Sequence, residues 1–155
     1  MAEFNQSALT KKGAALVAKA QSDGATIRIT KAVVGSGTYD GTEDLTALTE
    51  LKHQEQEFTP SSIERKNDTN VFVHFTISNY NEVTKTGLDH GYFMTEMGLI
   101  AEDPDEGEIL YAISTAAQAD WLQSYNGYIP ATVGVHFLVE VSNASEVQIT
   151  TDLEA

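Results

Sequence analysis

Hydrophobic and polar positions recur with two different periods along the chain, and the difference separates helical from extended segments. A stripe of apolar and small residues at helical spacing runs over residues 9–21, which predicts a short amphipathic helix. Ser7 or Thr10 is its expected N-cap, because either side-chain oxygen can accept a hydrogen bond from a free N–H of the first turn. A second short helix is predicted over residues 45–51, with Thr42 as its cap.

Period-two alternation of apolar and polar residues predicts strands over much of the remaining chain. Several of these segments are flanked by the glycine, proline and asparagine residues that are typical of turns. The final short strand is expected to pair back onto the strand before it across the turn at 143–145. The predicted strands outside the central hairpin are residues 25–34, 54–58, 63–66, 71–77, 133–141 and 147–149.

The central hairpin carries the strongest signal. Residues 92–101 and 109–114 are predicted to pair across the acidic turn at 102–108, and their strands are apolar on both faces. Such a strand needs cover on both faces, and a chain of this size can hardly supply all of it alone. The pattern therefore favours a protein that packs against other chains. The segment that follows, residues 118–130, is predicted to be an aromatic-bearing loop.

Early helices followed by many strands indicate an α+β fold. We expect the N-terminal amphipathic helix and the second short helix to pack on a largely antiparallel β sheet or sandwich. The 155 residues suffice for one domain, so residues 1–155 are predicted to form a single unit.

Charge narrows the range of partners. Acidic residues outnumber basic ones by 23 to 9, for a net charge of −14. Proteins that bind a phosphate backbone gain affinity from basic residues, so we expect neither nucleic acid nor an anionic membrane as a partner. The N-terminal residues lack the basic region and apolar run of a secretory signal, which predicts synthesis in a cytoplasm.

The candidate chemical motifs all favour a non-enzymatic protein. The glycine-rich residues 35–41 lack the Lys-Ser/Thr pair of a phosphate-binding loop, so a connecting loop is the preferred interpretation. The acids at 103–108 could present oxygens to calcium, but their spacing favours a solvated hairpin tip that could also dock a basic partner. The chain has four scattered histidines and no cysteine. We expect no catalytic residue, no metal and no cofactor, and paired carboxylates of a small hydrolase remain a weaker alternative.

Six residues are candidates for an interface. Glu96 lies among apolar residues on its strand, where a lone carboxylate is costly unless it is paired. It either reaches water at a sheet edge or contacts a partner, within the chain or across a subunit interface. Aromatic residues and methionine often contribute to interfaces, although each could equally belong to the core. The candidates are Tyr92, Met94, Glu96, Trp121, Tyr125 and Tyr128.

The order of these segments resembles a known family. Five segments follow one another as in the N-terminal attachment domain of phage tail-collar fibre proteins. In chain order they are the motif Leu9-Thr10-x-x-Gly13-x-x-Leu16, the strand at 27–35, the helix at 45–51, the motif Phe93-Met94-x-Glu96-x-Gly98-Leu99 and the strand at 109–114. The resemblance implies a non-enzymatic structural protein of the virion tail, usually a homotrimer. It further implies baseplate proteins of a contractile tail or related particle as partners.

Members of that family usually continue into a fibre shaft and a host-binding tip, which we expect to be absent here. The resemblance then implies either a short adaptor joined to a separate fibre or receptor-binding protein, or a longer chain that was cut. An alternative function is a carbohydrate- or receptor-binding module of a tail appendage, in which Trp121, Tyr125 and Tyr128 would stack on sugar rings.

Overall fold

The computed structural model describes residues 3–23, 27–65, 70–140 and 147–149. In these residues the chain forms twelve strands, one α-helix and a 3₁₀ turn at Leu45–Ala47. In chain order the elements are β1 (Glu3–Phe4), β2 (Ala8–Leu9), α1 (Lys11–Asp23), β3 (Ile27–Gly35), β4 (Gln54–Phe58), β5 (Ser62–Arg65), β6 (Asn70–Ser78), β7 (Tyr80–Asn81), β8 (Thr86–Gly87), β9 (Tyr92–Asp103), β10 (Gly107–Leu122), β11 (Thr132–Glu140) and β12 (Val147–Ile149).

Most of these strands belong to two sheets. The larger sheet has seven strands in the order β1-β10-β9-β3-β12, with β2 also paired to β10 and β4 also paired to β3. The smaller sheet has the order β11-β6-β5, and β7 and β8 form a separate two-stranded ribbon. The pairing is antiparallel throughout except between β12 and β3, which run parallel.

The predicted central hairpin is confirmed. Strands β9 and β10 pair in antiparallel register from Gly107 opposite Asp103 to Leu122 opposite Tyr92, with irregularities along β10. Gly107 adopts a positive φ of 82° at the turn, a backbone conformation that glycine accepts without steric cost. This hairpin is the spine of the larger sheet and carries four of the six candidate residues.

The main core lies between the larger sheet, α1 and the smaller sheet. Helix α1 contributes Leu16, Val17 and Ala20, as the predicted apolar stripe requires. Thr10 caps the helix, since its hydroxyl oxygen accepts a hydrogen bond from the N–H of Gly13 at 2.9 Å. The predicted N-terminal helix is therefore confirmed, with its first turn held against the hairpin.

A second, smaller core covers the opposite face of the larger sheet. We call residues 36–53, which connect β3 to β4, the cover segment. It places Leu51, and partly buried leucines and a tyrosine, against strand residues of β3 and β10. The chain therefore supplies more of the cover than the sequence led us to expect, because its own irregular segment covers the centre of the hairpin on this face. The residues of this core are Val33, Tyr39, Leu45, Leu48, Leu51, Ile100, Leu110 and Ile113.

The predicted fold class is wrong. The chain is predominantly β, and α1 is the one α-helix among the described residues, so two helices do not pack on a sheet. The expected second helix is reduced to the 3₁₀ turn Leu45–Ala47, which the Asp44 side chain caps through the N–H of Thr46 at 3.1 Å. Leu48 is already extended, with ψ 142°, so the leucines reach the sheet without a helix.

Three features of the strands also differ from the prediction. Residues 118–122 continue β10 instead of starting a loop, so Trp121 lies on a strand. Tyr80–Asn81 and Thr86–Gly87, for which no strand was predicted, form the β7–β8 ribbon. Strand β12 pairs with β3 and not with β11, and the turn predicted at 143–145 lies outside the described residues.

Candidate interaction surface

Glu96 anchors the cover segment to the hairpin. Its side chain is fully buried and accepts four hydrogen bonds. Oε2 accepts from the N–H of Gly37 and the N–H of His53, both at 2.8 Å. Oε1 accepts from the hydroxyl of Tyr39 at 2.6 Å and from the N–H of Lys52 at 2.9 Å. Of the interpretations drawn from the sequence, the structure shows the contact within the chain.

The glycines of the cover segment make this arrangement possible. A Cβ on Gly37 would lie 2.6 Å from Oε2 of Glu96, so a larger residue would displace the carboxylate. Burial, together with donation to Glu96, raises the pKa of Tyr39 well above its ordinary value, so this hydroxyl stays a donor. The glycine-rich loop thus approaches a carboxylate of the chain itself, in agreement with the connecting-loop interpretation.

Tyr92 and Met94 lie in the main core. The hydroxyl of Tyr92 donates to Oε1 of Gln56 at 2.7 Å, and burial raises the pKa of the phenol. Both side chains point to the interior face of β9. They could contact another chain only after a rearrangement of the core, so their role in an interface stays a prediction.

Trp121 and Phe93 form an exposed aromatic pair. They lie directly opposite each other in the β9–β10 register, with ring centroids 4.9 Å apart and planes tilted by 70°. Trp121 is 52% exposed and Phe93 is 55% exposed. Gly91 makes room for the indole, since a Cβ there would lie 2.5 Å from the ring. The sequence prediction missed Phe93, although strand alternation places it on the face opposite its neighbours Tyr92 and Met94.

Tyr125 and Tyr128 have surroundings of their own. Tyr125 stacks on Tyr80 of the β7–β8 ribbon with ring centroids 4.6 Å apart. Tyr128 is 84% exposed at a turn in which Oδ1 of Asn126 accepts from the N–H of Tyr128 at 2.8 Å. Ile129, which was not predicted, is exposed next to it.

The acidic turn of the hairpin is held by lysines of α1. Lys19 contacts Asp103 at 2.7 Å and Asp105 at 2.9 Å, and Lys12 contacts Glu106 at 2.7 Å. Burial would raise the pKa of Asp103, but the hydrogen bond from Lys19 and those from two backbone N–H groups outweigh it and hold the pKa below its ordinary range. Its oxygens are already engaged, so the structure gives no support to the calcium alternative.

A second ionic cluster joins β4 to the segment before β9. The nearly buried carboxylate of Glu55 accepts from the hydroxyl of Ser36 at 2.6 Å. Nε2 of His90 lies 2.9 Å from Oε1 of Glu55, and Nε2 of His53 lies 3.3 Å from Oε2. Hydrogen bonds to Glu55 and to Asp89 raise the pKa of His90.

The comparison with protein families decides the identity of the chain. The family model described as phage tail-collar fibre protein, N-terminal, matches residues 1–155. The chain belongs to the phage tail-collar fibre protein family. The resemblance noted in the sequence is thus confirmed, and the chain is a structural protein of a phage tail fibre, located in the virion tail. Comparisons with curated proteins and with solved structures gave no match.

Other types of site find little support in this tail-collar fibre protein. No group of three or more His, Cys, Asp or Glu side chains within the described ranges is arranged to hold a metal ion. In the same part of the chain, no helix has the length and apolar character needed to cross a membrane. A cavity of about 290 Å³ lies between the N-terminal segment and β11, where Phe4, Leu9 and Phe137 line it. None of the six candidate residues lines it.

Proposed function

We propose that this tail-collar fibre protein is a homotrimeric module that attaches a fibre or an adaptor to the baseplate of a contractile tail. The observation that supports this best is the exposed pair of Phe93 and Trp121. The pair lies on the two strands that form the spine of the larger sheet, beyond the residues of the cover segment that shield the hairpin centre. An apolar pair on a rigid strand surface is typical of an interface anchor.

The area at stake can be estimated from the exposed fractions. An aromatic side chain buries about 150–250 Å², so covering two half-exposed rings removes roughly 200 Å² from water. At about 25 cal/mol per Å², burial of this area contributes about 5 kcal/mol to the free energy of association, before the entropy cost of association is subtracted. A stable interface needs about 1,200–2,000 Å² in total, so the pair would act as the centre of a larger patch. The exposed Tyr128 and Ile129 are further candidates for that patch.

The net charge of the chain offers a way to distinguish contacts between its own copies from contacts with a baseplate protein. A net charge of −14 per chain makes copies of the chain repel one another, so added salt should favour the trimer. A baseplate partner with a basic surface would be attracted, so added salt should weaken that contact. Opposite salt dependences would therefore distinguish self-association from baseplate attachment.

Light scattering of the purified chain tests the trimer. The expected mass is about 50 kDa, three times the chain mass of 16.8 kDa. Trp121→Ser and Phe93→Ser should each shift the protein towards monomer, whereas Val83→Ser should not. Val83 is a matched control, because it is 55% exposed in the turn between β7 and β8. A monomeric wild type at every concentration and salt, or a trimer that tolerates the double variant, would contradict the proposal.

Baseplate attachment requires the intact particle. Cross-linking of assembled tails, followed by identification of the chains joined to this one, should recover baseplate proteins. Recovery of fibre-tip proteins alone would refute a baseplate position.

The half-exposed indole of Trp121 also suits the alternative of carbohydrate or receptor binding. Against it, Trp121, Tyr125 and Tyr128 pack in separate surroundings instead of sharing one described contact. Binding of host-cell glycans that is lost in Trp121→Ser, with the oligomer mass unchanged, would favour this alternative.

A further inference from the structure

We propose that His74 and His136 form a binding site for a divalent transition-metal ion of the class that prefers imidazole, such as Cu²⁺, Ni²⁺ or Zn²⁺. The two residues lie directly opposite each other on β6 and β11 of the smaller sheet. This site is separate from the exposed pair on β9 and β10, so it does not depend on the proposed function.

The geometry of the pair is close to what a shared ion needs. The two ring centroids lie 4.3 Å apart, and the planes meet at 86°. Two imidazole nitrogens that each lie about 2.0–2.1 Å from a tetrahedral ion are about 3.3 Å from each other. Side chains directly opposite each other on an antiparallel pair have neighbouring Cβ atoms, so both imidazoles lie on the same face of the sheet, within reach of one ion.

The surroundings of the pair supply a negative charge and an aromatic neighbour. Oε1 of Glu64, on the neighbouring strand β5, lies 3.4 Å from Nε2 of His74. A carboxylate at this position attracts a cation and can orient the imidazole that binds it. The ring of Phe72 lies 6.2 Å from that of His74 and 6.4 Å from that of His136. The histidines thus lie between an aromatic neighbour and an acid.

The site would be an open one. Two nitrogens come from the chain, and water completes the coordination, so the ion is not enclosed by three or more protein ligands. His136 is exposed, which gives the ion a path from solvent.

The other two histidines provide an internal control. Of the four in the chain, His53 and His90 both face the carboxylate of Glu55, and His90 also contacts Asp89 at 2.7 Å. The chain has no cysteine to compete for the ion. Removing His53 or His90 therefore takes away one histidine, just as removing His74 or His136 does, but it leaves the pair on β6 and β11 intact.

The experiment uses the full chain without a tag. Calorimetric titration with Ni²⁺ should show one ion per chain, and His136→Ala or His74→Gln should each weaken binding by about tenfold or more. Glu64→Gln should weaken it by less, and His53→Ala and His90→Ala should leave it unchanged. Electron paramagnetic resonance of the Cu²⁺-loaded wild type should show splitting from two nitrogens, a readout that needs no variant.

Three outcomes would overturn the proposal. One is the absence of Ni²⁺ binding at millimolar concentrations. The second is binding that survives in folded His74→Gln and His136→Ala chains, or that is lost in His53→Ala or His90→Ala. The third is a Cu²⁺ spectrum that reports a single nitrogen in the wild type.

Discussion

Replacing the Glu96 carboxylate by an amide tests the claim that one buried side chain fastens the cover segment. Glu96→Gln keeps the shape of the side chain but changes one acceptor oxygen into a donor. The four groups that point at it are three backbone N–H groups and the hydroxyl of Tyr39. The best orientation places the new NH₂ towards Tyr39, whose hydroxyl can turn to accept. The N–H of Lys52 then faces another donor and loses its partner.

The cost follows from these changes. An unpaired buried N–H costs about 1–3 kcal/mol, and a bond to a neutral acceptor is weaker than one to a carboxylate by about 1 kcal/mol. The variant no longer has to bury a charge, which offsets part of this loss. We therefore expect Glu96→Gln to lower the free energy of unfolding by about 2–4 kcal/mol. Tyr39→Phe removes one donor and should cost less, about 1–2 kcal/mol.

Urea unfolding followed by circular dichroism measures both variants, and the double variant completes a cycle. Because Tyr39 and Glu96 share a hydrogen bond, their effects should couple by more than about 0.5 kcal/mol. Glu57→Gln, an exposed carboxylate on β4, is the matched control and should stay within about 0.5 kcal/mol of the wild type. A Glu96→Gln protein as stable as that control would refute the anchoring role.

Three further predictions concern the core and the ionic cluster. Leu99→Asp places an unpaired charge at a fully buried position and should abolish folding or assembly, as judged by solubility and circular dichroism; a soluble, assembled variant would show that this face is misplaced. Gly13→Ala should destabilise by about 1–3 kcal/mol, since its Cβ would overlap the backbone carbonyl of Tyr111, whereas Gly134→Ala meets open space and serves as the control in the same thermal melts. His90→Gln should destabilise the protein most between about pH 4.5 and 6.5, and least above the raised pKa of His90. The stabilisation from protonated His90 is complete below the ordinary histidine pKa and disappears above the raised pKa of the folded state, while the stabilisation from ionised Glu55, whose pKa is lowered, disappears in acid. Equal effects at about pH 5.5 and pH 9 would contradict this prediction.

Local periodicity was enough to predict the elements whose backbone hydrogen bonds are made within the element or with its neighbour in the chain. Helix α1 has an apolar stripe and the cap Thr10, and the β9–β10 hairpin has two long apolar strands joined by a glycine-containing turn. The prediction of a second helix was wrong because its three leucines have helical spacing, but the segment is too short to form several helical turns. A short helix gains little from propensity alone. Here the N–H groups of Lys52 and His53 are bound by Glu96, a residue distant in the sequence.

The candidate surface was harder to predict for a related reason. A strand that is apolar on both faces shows that each face needs cover, but its sequence does not say which chain supplies the cover. On β9 the irregular cover segment shields Ile100, while Phe93 is left exposed further along the same strand. The partners of Glu96 are mostly backbone N–H groups, which carry no residue signature at all.

The same arrangement explains why a small protein can present an apolar pair without losing its own fold. The cover segment shields the centre of the hairpin from one side, and Glu96 fixes that segment by four hydrogen bonds. Phe93 and Trp121 lie on the same two strands, so they are presented by a sheet that is already packed on its other face. Little conformational entropy remains to be lost when a neighbour covers them, which favours binding by a preformed surface. Stability and the proposed attachment would therefore depend on adjacent parts of one hairpin.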